Sequence, residues 1–325
     1  MEKSNVAIGK KVADVSYSMT LKSKIKDLER QLSRDRYLLL IFMIPLMYYI
    51  IFRYVPMYGI IIAFEDFKPF KGILGSPWVG FKHFMEFFNS VYFTRVLVNT
   101  LLLSLYGIIF TFPAPIILAL LLNEVKNGRF KRTIQTVSYL PYFISTVVVV
   151  GLVVNFLSPS MGIINMIIRQ LGFEPIYFMV RAEYFKPIYT AMCIWKSVGW
   201  EAIIYIAALT TIEVELYEAA IIDGASKWKQ LIHITIPGII PTIVIMLIMR
   251  FGNILNVDFE SIILLYNPSI YSSADVISTY VYRSGLVDGN FSFATAVGFF
   301  QNAIGFALIV ITNKISNKVT GSGLW

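Results

Sequence analysis

Apolar runs alternate with polar segments along the chain from Tyr37 onward. Six runs come near the ~20 apolar residues that cross the hydrocarbon core of a bilayer. They are Tyr37–Phe64, Val96–Leu122, Thr136–Leu157, Ile188–Thr210, Thr242–Leu265 and Ala294–Thr312. The pattern predicts an all-α polytopic membrane protein with six transmembrane helices. Residues 1–36 are polar, and Thr20–Arg36 places Leu21, Ile25, Leu28 and Leu32 at spacings of three and four. That is an amphipathic helix with basic flanks. A place on the anionic inner leaflet and a solvated extension packed on the protein are equal readings of it. Three connecting segments are long. Phe64–Val91 carries Gly and Pro turn chemistry. Ser158–Lys186 holds a short apolar stripe that cannot span. Tyr266–Phe293 reads as a polar loop of a size that commonly carries contact with an external partner.

Composition supports this reading. Of 325 residues, 57% are hydrophobic and 15% charged, against about 25% charged in a soluble domain. Mean hydropathy is +0.68. A disordered chain, a collagen and a disulfide scaffold are excluded. The lone cysteine, Cys193, lies in an apolar run and reads as a small buried hydrophobe.

The net charge of +8 fits either nucleic acid or a membrane face. Its distribution decides. Nine Lys or Arg lie in residues 1–36, and Lys126, Arg129, Lys131 and Arg132 follow the second span. Lys227 and Lys229 follow the fourth span, and Lys314 and Lys318 end the chain. These are seventeen of the 28 basic residues, all on one side. The positive-inside rule then puts both termini in the cytoplasm, and nucleic acid is not an expected partner.

The segment after the fourth span reads Tyr217-Glu218-Ala219-Ala220-Ile221-Ile222-Asp223-Gly224, then runs through Trp228 and His233 to Ile234-Thr235-Ile236-Pro237. Glu213, Glu215 and Glu218 suit a helix start, where the dipole favours acids. Gly224 ends that helix or allows close approach of another backbone. Lys227 to Ile232 is expected to form a second short helix that Pro237 stops. The segment is thus a helix–turn–helix knob, small and partly apolar.

Glu-Ala-Ala, three residues, Gly, nine residues, Ile, one residue, an aliphatic residue and Pro resembles the EAA coupling motif of binding-protein-dependent ABC importer permeases. Ile236 stands where that pattern more often has Leu. Three further segments resemble the carbohydrate-uptake permeases, especially the subgroup for complex oligo- and polysaccharides. They are Tyr54-Val55-Pro56-Met57-Tyr58-Gly59-Ile60, Trp195-Lys196-Ser197-Val198-Gly199-Trp200 and Gly252-Asn253-Ile254-Leu255-Asn256. The resemblance implies a type I importer permease fold over residues 37–325, with 1–36 as an extension and 212–240 as a coupling loop. It implies four other proteins around this chain: a second permease, two cytoplasmic ATPase subunits and an external substrate-binding protein. Glu218 would contact an ATPase, Ala219 and Ala220 would pack, and Gly224 would permit close approach, with Asp223, Ile234 and Pro237 completing the motif. ATP and Mg would belong to the ATPase subunits. The sequence itself lacks a G-x-x-x-x-G-K-[ST] phosphate loop, a G-x-S-x-G elbow and metal-ligand spacing around His83 or His233. No cofactor, metal or catalytic residue is expected in this chain.

Ionisable residues at membrane depth usually face a cavity or a partner. Lys196, Arg250, Asn253 and Asn256 are therefore candidates for a substrate path, with rings from Trp195, Trp200 and Tyr205. The other reading pairs Lys196 with Glu201 and makes Arg250 a helix brace. Three cations within spans, Arg53, Lys196 and Arg250, point to an acidic saccharide, such as a uronate polymer fragment. The competing class is a stand-alone carrier or channel for small polar solutes. That class asks for inverted internal halves and a complete site in one chain.

Overall fold

The computed structural model describes residues 34–320. The amphipathic stretch expected over 20–36 lies outside them except for its last three residues. The chain forms two compact units, Met1–Ile61 and Ile62–Trp325. Among the described residues the secondary structure is helical, with one isolated β-bridge between Glu65 and Trp78.

The first unit is helix α1, Arg36–Phe64, whose last three residues belong to the second unit. Its side chains are exposed from Arg36 through Tyr58, Arg53 included.

The second unit begins with short α2, Lys82–Phe88, and long α3, Phe93–Glu124. Next come α4, Gly128–Phe143, and α5, Thr146–Phe156, bent by 100° from each other. Short α6, Ile163–Gln170, leads to α7, Ala182–Leu209. After α8, Val214–Ile222, comes α9, Lys227–Gly252. Short α10, Phe259–Leu265, and α11, Ile277–Tyr282, precede α12, Phe291–Thr320. Five described helices are long and apolar enough to cross a membrane, and the count is six where the bent α4–α5 pair is taken as one broken span.

Three departures from the expected spans have local causes. The third span is not one straight helix. Pro141 opens a tight turn, and Ile144 and Ser145 are extended, so the chain swings away before Thr146 restarts the helix. The fifth span begins earlier and ends earlier than expected. It starts at Lys227, and at Gly252 the helix gives way to a turn. There Gly252 packs against Ile309 and Gly305 of α12. Finally, Pro237 does not stop a helix. A π turn at Leu231–Thr235 precedes it and carries α9 through. The same device precedes Pro56, with Ile50–Tyr54, and Pro113, with Gly107–Thr111. Proline lacks the N–H and its ring collides with the carbonyl four residues back. Widening the preceding turn to π register relieves both.

Buried side chains hold the second unit together. Tyr205 and Leu209 of α7 pack with Ala119 of α3 and Ile239 of α9. Phe87, Val96, Tyr280, Phe293 and Val297 form a second cluster joining α2, α3, α11 and α12. Close approach of α4 to α7 depends on Gly199, where a Cβ would overlap backbone atoms of Ser138.

The segment 266–293 is not the polar surface loop expected. Ala274, Asp275, Val276 and Ile277 are fully buried. Asp275 accepts from Arg283 at 2.9 and 3.2 Å and from Arg95 at 3.0 Å. Asn99 donates to the Asp275 carbonyl, and Lys186 donates to Asn99 and Ser273. The network ties the amino-terminal ends of α3 and α7 to this segment. Burial acts against the charge on Arg283, but the hydrogen bonds and charge of Asp275 outweigh it and raise the Arg283 pKa. The guanidinium also lies over the rings of Tyr271 and Tyr280.

Candidate functional site

Two constellations stand out. The first is the knob at residues 212–240. Helix α8 ends in a Schellman turn: the N–H of Ala225 reaches Ala220 O at 2.8 Å, and that of Gly224 reaches Ile221 O at 3.0 Å. Gly224 carries the required positive φ of 70°. Apart from its own chain neighbours, no atom of the described residues lies within 4 Å of where its Cβ would be. Ser226 then caps α9. Lys227 pairs with Glu124 at the end of α3, at 3.6 Å.

Glu218, Ala219, Asp223 and Gly224 are exposed, and Ala220 is half-buried. Beside them Ile221, Ile222 and Trp228 form an apolar surface, with Ile222 86% and Trp228 73% exposed. Ile234 and Pro237 stand apart from this surface. They line a groove of about 490 Å³ with Glu213, Leu216 and His233.

The second constellation is a cavity of about 240 Å³ between α3, α7 and the end of α9. Arg250, Asn253, Asn256 and Asp258 line it from one side, and Tyr189, Ser197 and Glu201 from the other. The Arg250 guanidinium occupies space left by Gly107: a Cβ there would sit 2.6 Å from its Nη2. Asn253 and Asn256 are not on a helical stripe, because α9 has ended. They are brought in by the turn that follows. Gln301 of α12 fixes that turn by donating to Leu255 O and Asn256 Oδ1, both at 2.6 Å. Ser104 of α3 bonds Ile254 O. Ser197 and Glu201 face the same cavity as Arg250.

Lys196 and Trp200 do not join this cavity. Each precedes a cavity residue by one position, and one position turns a helix by about 100°. Lys196 Nζ donates to Thr146 at 2.7 Å, and Thr146 donates to Glu260 at 3.0 Å. Trp200 stacks on Tyr142, with ring centroids 4.7 Å apart. Tyr205 is buried in the core, and Trp195 lines a separate apolar groove. Lys196 and Arg250 therefore do not converge, and Arg250 shares its cavity with two carboxylates, Glu201 and Asp258. A positive cavity is not what the fold builds. Sequence reasoning left Tyr189, Ser197, Glu201 and Gln301 out of the site. The signal for the first three was the spacing of four along α7 through Tyr189, Cys193, Ser197 and Glu201.

Five or six spans, an exposed knob between two of them and a polar cavity among the helices define a membrane transport subunit. Residues 111–317 match the family of binding-protein-dependent transport system inner membrane components. The chain belongs to that family. It is similar to the polygalacturonan/rhamnogalacturonan transport system permease protein YteP of Bacillus subtilis (strain 168). The two are 44% identical, over 94% of this chain and 95% of that protein. A crystal structure of a bacterial alginate ABC transporter, in complex with an alginate pentasaccharide-bound periplasmic protein, contains a chain that superposes with a TM-score of 0.84. That match has 42% identity over 91% of this chain and 99% of that one. A second, of a bacterial ABC transporter that imports the acidic polysaccharide alginate, gives 0.84 at 43%, over 90% and 99%. The ABC importer permease fold expected from the coupling motif is therefore the fold this chain has, and its place is the inner membrane.

Proposed function

We propose that this chain is the permease subunit of an ATP-driven importer for uronate-containing oligo- or polysaccharide. In this reading it pairs with a second permease. An external binding protein delivers the substrate, and two ATPase subunits that hold ATP and Mg drive the cycle. Both termini face the cytoplasm, in line with the one-sided distribution of basic residues. The knob at 212–240 docks in an ATPase subunit, with Glu218 in polar contact, Ala219 and Ala220 packed, and Gly224 against the partner backbone. The observation that carries this is the exposed surface of Ile221, Ile222 and Trp228 beside Glu218. The acidic substrate class is supported by what the similar permeases are named for, not by the charge of the cavity. Arg250, Asn253 and Asn256, with Ser197 and Glu201, present hydrogen-bonding groups suited to sugar hydroxyls.

The test is the purified complex in proteoliposomes. An ATPase subunit is expected to co-purify. Binding protein loaded with oligogalacturonate is expected to stimulate ATP hydrolysis several-fold more than when loaded with a neutral arabino-oligosaccharide. A preference for the neutral sugar would reject the substrate class, and no bound ATPase would reject the docking.

The cavity makes a further prediction. In Gly107→Ala the new methyl meets the mobile end of Arg250 and displaces it, with little strain on the helix. Uptake is expected to fall in the same direction as in Arg250→Ala. The melting temperature should move by less than about 4 °C, a change of about 1 kcal/mol. Normal uptake in both variants would remove Arg250 from the path.

A further inference from the structure

The knob and helix α9 are joined by a hydroxyl relay buried inside the loop. Thr235 and Gln230 are 2% and 4% exposed. The Thr235 hydroxyl donates to Gln230 O at 3.3 Å, five residues back. A threonine in a regular helix reaches four back, so this bond exists because Leu231–Thr235 is a π turn. A hydroxyl has one proton. With that of Thr235 given to Gln230, the 2.9 Å contact between Tyr217 Oη and Thr235 Oγ1 is donated by Tyr217. Gln230 Nε2 then donates to Ala225 O at 3.0 Å, just past Gly224. Three pieces are thus fastened together: Tyr217 of α8, the turn at Ala225 and the first turns of α9.

Helix α9 has 26 residues, about 39 Å at 1.5 Å per residue. Its first residue pairs with Glu124, and Arg250 in its last turn lines the cavity. We infer that the Tyr217–Thr235–Gln230 relay is a rigid joint that makes the knob and α9 move as one body. Displacement of the knob is thereby delivered to Arg250. The inference rests on the docking reading above, and it makes the three residues positioning residues for coupling. Packed interfaces switch between discrete arrangements when their parts are stiff. A loose joint would let the knob move while α9 stayed behind.

The experiment compares Tyr217→Phe, Thr235→Val and Thr235→Ser in the reconstituted complex. Its readout is ATP hydrolysed per saccharide imported. Tyr217→Phe and Thr235→Val are expected to keep the ATPase bound, to hydrolyse ATP, and to raise that ratio several-fold. Thr235→Ser keeps the hydroxyl and is expected to match the wild type. An unchanged ratio with the ATPase bound overturns the joint alone. Loss of the ATPase from Tyr217→Phe also overturns it, since the tyrosine would then serve docking. No ATPase on the wild-type chain overturns the docking reading and the joint together. Tyr217→Phe keeps the ring and decides the matter if Thr235→Val yields too little protein.

Discussion

Arg283→Met is expected to destabilise the second unit by about 3–5 kcal/mol, because it strips a fully buried carboxylate of its two-point partner. Asp275 would keep only Arg95 and Thr279. The opposite truncation, Asp275→Asn, is expected to cost less. The Arg95 and Arg283 side chains are 34% and 24% exposed, so their charges can turn toward water, whereas Asp275 at 0% cannot. Thermal unfolding of the purified protein in detergent gives the order. A larger loss for Asp275→Asn than for Arg283→Met would contradict this account. The pair belongs to the network that ties the first turns of α3 and α7 to this segment.

Trp228→Ala is expected to cut uptake sharply while leaving the fold intact. Trp228 is 73% exposed and sits in the first turn of α9, so little packing within the chain is lost. Its removal should change folding stability by no more than about 0.5 kcal/mol. In a docked knob, by contrast, a tryptophan beside Ile221 and Ile222 is the type of residue that dominates an interface. Truncation there commonly removes about 2 kcal/mol or more, roughly a thirtyfold loss of affinity. Co-purification of the ATPase subunit and uptake measured on the same preparation check both halves. Retained ATPase binding with normal uptake would move the docking surface elsewhere.

Much of the architecture was legible in the residues themselves. Most of each apolar run became helix, because lipid leaves the backbone no partner but itself. The knob was also legible, since Gly224 and Ser226 are local signals for a helix end and a helix start. Helix ends were less so. Pro141 breaks its span, while Pro56, Pro113 and Pro237 are carried through by π turns. Nothing in the dipeptides around them separates the two outcomes.

What the sequence determined alone was whatever hydrophobicity and motif spacing fix locally: the apolar helices and the knob between the fourth and fifth of the expected spans. The tertiary structure decided which side chains meet. Lys196 and Ser197 are neighbours in the chain, yet Lys196 bonds Thr146 while Ser197 lines the cavity. Asp275 reads as a loop residue and is buried between two arginines. Tyr217 reaches Thr235 only because a π turn sets the phase of α9. The phase of a helix and the partner across a gap depend on residues far away in the chain, so no window of sequence contains them.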